Sequence, residues 1–152
     1  MALKIAFKEA MVRGLKMQVQ SLEVRGPSPD LDGAFKAGAK ARVGALVTIK
    51  DALLNRYHQR AADLAIKNRL PSMYDTSTWV EGGGLMSYSA NDLEVFRRAA
   101  TYVDKILKGT KPADLPIEMP MKFEFIINLK AAKQIGLTIP PNVLVRADKV
   151  IR

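Results

Sequence analysis

The stretch Gly44-Ala45-Leu46-Val47-Thr48-Ile49-Lys50-Asp51 governs how the rest of the chain is read. Its β-branched apolar run, with no polar alternation, is what a strand buried on both faces requires. Asp51 then stands where a helix N-cap belongs, and Leu54, Tyr57, Ala61, Leu64 and Ala65 recur on one face of a predicted helix to about Asn68. Leu70–Tyr74 resumes as a strand. Strand, helix and strand in that order make a βαβ unit, and so an α/β fold: a parallel sheet flanked by helices.

The pattern continues outward in both directions. Thr76–Glu81 reads as a short helical turn before Gly82-Gly83-Gly84, and Leu85–Tyr88 as a strand. Asn91 or Asp92 caps a helix to Lys108, with an apolar stripe of Leu93, Phe96, Ala100, Val103 and Leu107, ended by Gly109. Lys111–Pro120 is proline-rich and irregular. Phe123–Asn128 is a strand, Leu129–Ile135 a short helix, and Asn142–Ile151 a last helix after Pro140-Pro141. Upstream, residues 2–14 have helical spacing and Lys16–Val24 alternates like a strand. Gly26-Pro27-Ser28-Pro29 is a turn, and Pro29-Asp30-Leu31-Asp32 opens a helix through about Arg42.

Composition narrows the function classes. A hydrophobic fraction of 48% and a charged fraction of 26% fit a globular chain with a core, and no apolar run is long enough to span a membrane. No cysteine is present, which removes disulfides, thiolate metal sites and a cysteine nucleophile. The net charge of +9 raises the question of nucleic acid, but the basic residues are dispersed, and the densest points are pairs such as Arg97-Arg98, which argues against it. Lys4, Lys8 and Glu9 interrupt the apolar residues of Met1–Met11, so no export signal is read there, and a Met1 that is the true start would imply the cytoplasm.

No catalytic constellation emerges. His58 is the only histidine, so a zinc site has no partner set; beside Arg56 and Arg60 it reads as a surface residue. Ser87 lacks the G-x-S-x-G context of a hydrolase nucleophile. The three glycines at 82–84 lack the spacing of a phosphate-binding loop and read as a turn. Asp30 and Asp32 read as helix-start acids, not as a cation site, and Trp79 as a core anchor. The expectation is therefore no enzyme, no cofactor and no metal. In open α/β sheets, ligands bind outside the carboxyl ends of the strands. That rule selects Asp51, Tyr74, Asp75, Ser87, Tyr88 and Asn91 as candidate ligand-binding residues. Asp51 and Asn91 read equally well as helix caps, and Tyr88 as packing.

Several ordered strings carry a family likeness. They are Val80-Glu81-Gly82-Gly83-Gly84-Leu85-Met86-Ser87-Tyr88, Arg97-Arg98-Ala99-Ala100, Tyr102-Val103-Asp104-Lys105-Ile106-Leu107-Lys108-Gly109, Lys111-Pro112-Ala113-Asp114-Leu115-Pro116, Ile127-Asn128-Leu129-Lys130, and Gly136-Leu137-Thr138-Ile139-Pro140-Pro141. Together they resemble the C-terminal part of the ABC transporter substrate-binding protein family. The resemblance covers nearly the whole chain. It departs at Gly82, where alanine is usual, at Ser89, where glycine is usual, and in length.

The resemblance implies one lobe of a type I periplasmic-binding fold plus crossover elements. Residues 1–84 would be second-lobe-like, 85–120 a crossover and first-lobe-like helix, and 121–152 the C-terminal return. It implies a solute-binding component, or a truncated part of one, taking a small organic ligand such as an amino acid outside the cytoplasm and serving a transporter permease. A single lobe is expected to bind weakly and to expose surfaces that favour a homodimer. The alternative is a stand-alone flavodoxin-like regulatory or scaffold domain that dimerises and has no transport role.

Overall fold

The computed structural model describes residues 18–152. The expected helix at 2–14 lies outside the described residues, as do Lys16 and Met17 of the expected strand. The described residues divide into two units, one ending at Gly44 and the other running from Ala45 to Arg152.

In the first unit, residues 18–24 form no strand. Alternation alone does not hold a strand; its N–H and C=O groups need a neighbouring ladder, and none pairs with this segment among the described residues. Gly26 turns the chain at φ +81°, in the region glycine adopts without strain. Helix α1 (Leu31–Lys40) starts at Asp30, whose carboxylate accepts from the Gly33 N–H at 2.8 Å. Leu31 and Gly38 are its buried residues.

The second unit carries a five-stranded sheet in the order β1 (Leu46–Val47), β2 (Ser72–Tyr74), β3 (Met86–Ala90), β4 (Phe123–Asn128), β5 (Lys149–Ile151). β1, β2 and β3 run parallel, β4 is antiparallel to β3, and β5 is parallel to β4. The sheet is thus mixed, with every pair but one parallel. The exception follows from the excursion between β3 and β4. Helix α5 (Asp92–Leu107) leads away, a strap over 109–122 containing a 3₁₀ turn at Pro112–Asp114 returns, and the Asn91 N–H donates to the Lys122 carbonyl at 3.0 Å. The chain re-enters the sheet at the end it left, so β4 must run against β3.

The helix expected over 51–68 is two helices, α2 (Ala52–Arg56) and α3 (His58–Lys67). They break at Tyr57, whose N–H bonds only three residues back to Leu54, while the Nδ1–H of His58 donates to the Asn55 carbonyl at 2.8 Å. The helix expected over Asn142–Ile151 is one turn, α7 (Pro141–Leu144), followed by β5. Asp148 redirects the chain: its N–H donates to the Phe125 carbonyl and its carboxylate accepts from the Phe125 N–H, both at 2.8 Å. The β-branched pair Val150-Ile151 then continues along β4.

Register divides the sheet residues between two faces. Ser72, Tyr74, Ser87 and Ile126 share one, and Met73, Met86, Tyr88, Phe125 and Ile127 the other. Helix α4 (Ser77–Glu81) covers the first through Trp79 and Val80, both buried. Helix α6 (Leu129–Gln134) brings Ala131 and Ala132 against Leu85, Ile127, Ile135 and Ile139, with Met86 and Phe125 packed around them. Asn128 ties the two sides together. Its Oδ1 accepts from the Lys130 and Ala131 N–H groups at 3.0 and 3.1 Å, and its Nδ2–H donates to the Val80 carbonyl at 3.4 Å.

The turn into β3 depends on two glycines for different reasons. Gly83 has φ +106° in open space, whereas a Cβ on Gly84 would lie 2.5 Å from Cε2 of Tyr74 and 2.8 Å from the Trp79 carbonyl oxygen. Gly83→Ala is therefore expected to cost about 1 kcal/mol by backbone strain, and Gly84→Ala roughly 1–3 kcal/mol by overpacking. Urea unfolding of the two variants checks this order; equal losses would mean that the Tyr74 ring yields freely.

Candidate functional site

The carboxyl ends of the parallel strands β1 and β2 and the loop that follows each carry polar groups, and β3 ends beside them. After β1, the Thr48 hydroxyl donates to Oδ1 of Asp75 at 3.1 Å, linking the β1 and β2 exits. Lys50 pairs with Asp92 at 3.2 Å, linking the β1 exit to the start of α5. This pair is largely exposed and adds little stability.

The six candidate residues fall into three kinds of environment. Asp51 and Asn91 are helix caps: Asp51 accepts from the Leu53 and Leu54 N–H groups at 2.8 and 3.1 Å, and Asn91 accepts from the Glu94 N–H at 2.9 Å. The Asn91 amide also donates to Glu124 of β4 at 2.5 Å. Each cap uses one carbonyl-type oxygen and leaves further hydrogen-bonding capacity toward solvent. Asp75 and Tyr88 stand at the surface: Asp75 is half-buried, and Tyr88 is 58% exposed. The Tyr88 ring stacks on Phe123 at 5.5 Å and meets Phe125 edge-on at 6.3 Å, leaving one aromatic face and the hydroxyl open.

Tyr74 and Ser87 are core residues, 1% and 0% exposed, and in this conformation offer no surface to a ligand. Their position at strand ends suggested a cleft, but both point to the face that α4 covers. Tyr74 stacks on Trp79 at 4.7 Å, and His58 meets the same indole edge-on at 6.0 Å. His58 is thus half-buried packing, whereas the arginines around it had marked it as surface. Trp79 is the core anchor its size implied. Two residues missed from the sequence, Thr48 and Phe123, flank the site. A hydroxyl directly after a buried strand, and an aromatic opening the antiparallel partner of Tyr88, were the signals.

Among the described residues no cluster of three or more His, Asp or Glu is arranged to hold a metal ion. A shallow depression of about 400 Å³ lies by α6, lined by Leu129, Ala132, Lys133 and Gly136–Ile139, and includes none of the six candidates.

Residues 4–151 match the model of a family described as ABC transporter substrate binding protein. The chain belongs to that family. It is a family of substrate-binding proteins rather than enzymes. No curated protein matches. Among solved structures, a conserved domain protein from Vibrio cholerae O1 biovar El Tor is 26% identical with a TM-score of 0.73, over 80% of this chain and 40% of that one. An ABC domain from Streptococcus pneumoniae, in complex with L-Trp, is 23% identical with a TM-score of 0.85, over 97% and 50%. A ligand-free, open substrate-binding protein with adhesive properties from Clostridium difficile is 17% identical with a TM-score of 0.60, over 99% and 51%. The last two show the shared fold. The chain spans about half the length of these structures, or less. Among the described residues no helix is long and apolar enough to cross a membrane.

The buried hydroxyls of Ser72, Tyr74, Thr76 and Ser87 have no hydrogen-bond partner among the described residues. Burial pushes the Tyr74 phenol above the ordinary tyrosine value; the Asp63 carboxylate adds to this, and the Ser72 hydroxyl, close but not in hydrogen-bond geometry, tempers it. The folded state therefore holds this proton where the unfolded chain releases it, and stability falls as pH rises beyond about 10. Tyr74→Phe is expected to change stability at pH 7 by less than about 1 kcal/mol, because the lost hydroxyl is unpaired. It should also flatten the alkaline loss. Urea midpoints at pH 7 and between about pH 9.5 and 11 test both; an unchanged alkaline slope would show that Tyr74 does not carry it.

Proposed function

We propose that this chain supplies one wall of a solute-binding cleft for an ABC transporter, taking a small organic ligand such as an amino acid outside the cytoplasm and delivering it to a permease. The observation that carries this reading is the cluster of polar groups at the carboxyl ends of β1, β2 and β3, in a chain that matches the family over 4–151. Asp75 and the free acceptor sites of Asp51 suit an ammonium group. Lys50 suits a carboxylate, and its exposed pairing with Asp92 is easily exchanged. The open ring of Tyr88 suits an apolar or planar side chain. Asn91 can orient a polar group beside it. Tyr74 and Ser87 act from beneath, by setting the packing under the β2 and β3 ends. The L-Trp carried by the pneumococcal structure makes amino acids the first class to try.

A panel of L-amino acids and small organic acids, read by thermal shift and calorimetry on the chain, tests the proposal. At least one ligand is expected to raise the unfolding temperature. Asp75→Asn should then weaken binding about ten- to hundredfold, since it removes a charge-assisted hydrogen bond. Tyr88→Ala should weaken it with the fold intact. A panel without a single response, while a relative of full family length responds, would remove the proposal for this chain.

A further inference from the structure

The segments that leave β1, β2 and β3 carry four charged side chains, Lys50, Asp51, Asp75 and Asp92: one ammonium against three carboxylates, in a chain of net charge +9. Two of the carboxylates have local work. Asp51 accepts through Oδ1 from the Leu53 and Leu54 N–H groups, and Asp75 accepts through Oδ1 from the Thr48 hydroxyl. The cap of α5 is Asn91, not Asp92. The Asp92 carboxylate instead accepts from Lys50, 42 residues earlier, at 3.2 Å, and both side chains are more than half exposed.

We infer that Asp92 is an internal stand-in for a ligand carboxylate. It holds Lys50 while the site is empty and gives it up when an amino acid binds, so it sets the affinity for ligands that carry a carboxylate and for no others. The inference rests on the ligand reading above and adds to it a residue that determines specificity.

A carboxylate arriving at this rim meets three like charges and needs the ammonium of Lys50. An ammonium on a flexible four-carbon stem passes from one partner to another without moving the backbone. Binding therefore exchanges one ion pair for another, and the ligand gains only the difference between them. The exchange costs little on the Asp92 side. Its carboxylate lies in the first turn of α5, where the helix dipole favours a negative charge, and it is exposed enough to be rehydrated. A ligand with a carboxamide in place of the carboxylate has no claim on Lys50 and leaves the pair intact. Because an exposed ion pair is weak, removing the competitor is worth roughly two- to fivefold in affinity. The sign separates this from a positioning role: if Asp92 held Lys50 ready for the ligand, its loss would weaken binding.

Calorimetry on the whole chain tests it, with L-tryptophan and L-tryptophanamide first and then the other L-amino acids, each beside its carboxamide. Asp92→Asn should tighten binding of the amino acid roughly two- to fivefold and leave that of the carboxamide unchanged. Lys50→Met should lower the amino acid to the level of its carboxamide, with Asp92→Asn then without effect. Glu94→Gln removes a carboxylate from the same helical turn that pairs with Arg97 instead, and should change neither ligand. Salt at about 1 M should erase most of the Asp92→Asn gain. Weaker or unchanged amino-acid binding in Asp92→Asn, an equal gain for the carboxamide, or a gain that persists without Lys50 overturns the inference while the ligand reading stands. A chain that binds no member of either series removes the ligand reading and this inference together.

Discussion

The second unit depends on the antiparallel pairing of β3 with β4. Five residue pairs hold it, from Met86 opposite Ile127 to Ala90 opposite Phe123. It joins two parallel pieces that have no other common strand: β1 and β2 on one side, β5 on the other. Each face of the joined pair supports a different layer. Ser87 and Ile126 face Trp79 and Val80 of α4, while Met86, Phe125 and Ile127 meet the cluster built around α6. A slip of one residue along this ladder would exchange the faces and place Tyr88 where Ser87 now lies against the core.

The same pairing fixes what stays outside. Because β3 and β4 meet at Ala90 and Phe123, everything between Asn91 and Lys122 is an excursion from one end of the sheet. Asn91 manages its root in three ways: its side-chain oxygen caps α5, its side-chain amide reaches Glu124 on β4, and its backbone N–H closes on Lys122. A residue that looked like a ligand contact or a cap is thus also the clasp of the excursion. Its two roles do not conflict, since a cap oxygen directed at backbone N–H groups leaves other edges of the amide free.

The central βαβ organisation was legible because Leu46-Val47 does pair parallel with β2 and Asp51 and Asn91 sit at true N-caps, although β1 is an edge strand with Val47 61% exposed and not the buried strand its β-branched run suggested. What escaped depends on partners distant in sequence. The direction of β4 is set by where the strap returns, and nothing in Phe123–Asn128 itself encodes it. β5 looked helical because a proline pair often opens a helix, but Asp148 bonding to Phe125 overrides local preference. The break at Tyr57 rests on a histidine side chain competing for a backbone carbonyl. At the site, chemistry was readable and accessibility was not. Tyr74 and Ser87 stand opposite each other in register, yet pointing toward α4 or away from it is decided by strand parity against Trp79. Tyr88, one residue on, shares the opposite face with Phe125 and keeps its ring open.

The distribution of exposed apolar side chains bears on how such a sequence is maintained. Of the fifteen large apolar residues exposed among those described, nine lie between Asn91 and Lys122. Scattered exposed apolar residues are ordinary and need no cause. Concentration in one excursion is different, because the rest of the unit buries its large side chains efficiently, with Trp79, Leu85 and Ile127 at 1% exposure or less. Helix α5 also has capping, charge placement and stripe spacing all consistent with a stable amphipathic helix. Isolated helices of this length are marginal in water, and most helical stability in proteins comes from packing an apolar face. A helix so well specified, tied to the sheet at its amino end and supported by a strap along its other side, is therefore specified for a contact that the described residues do not contain.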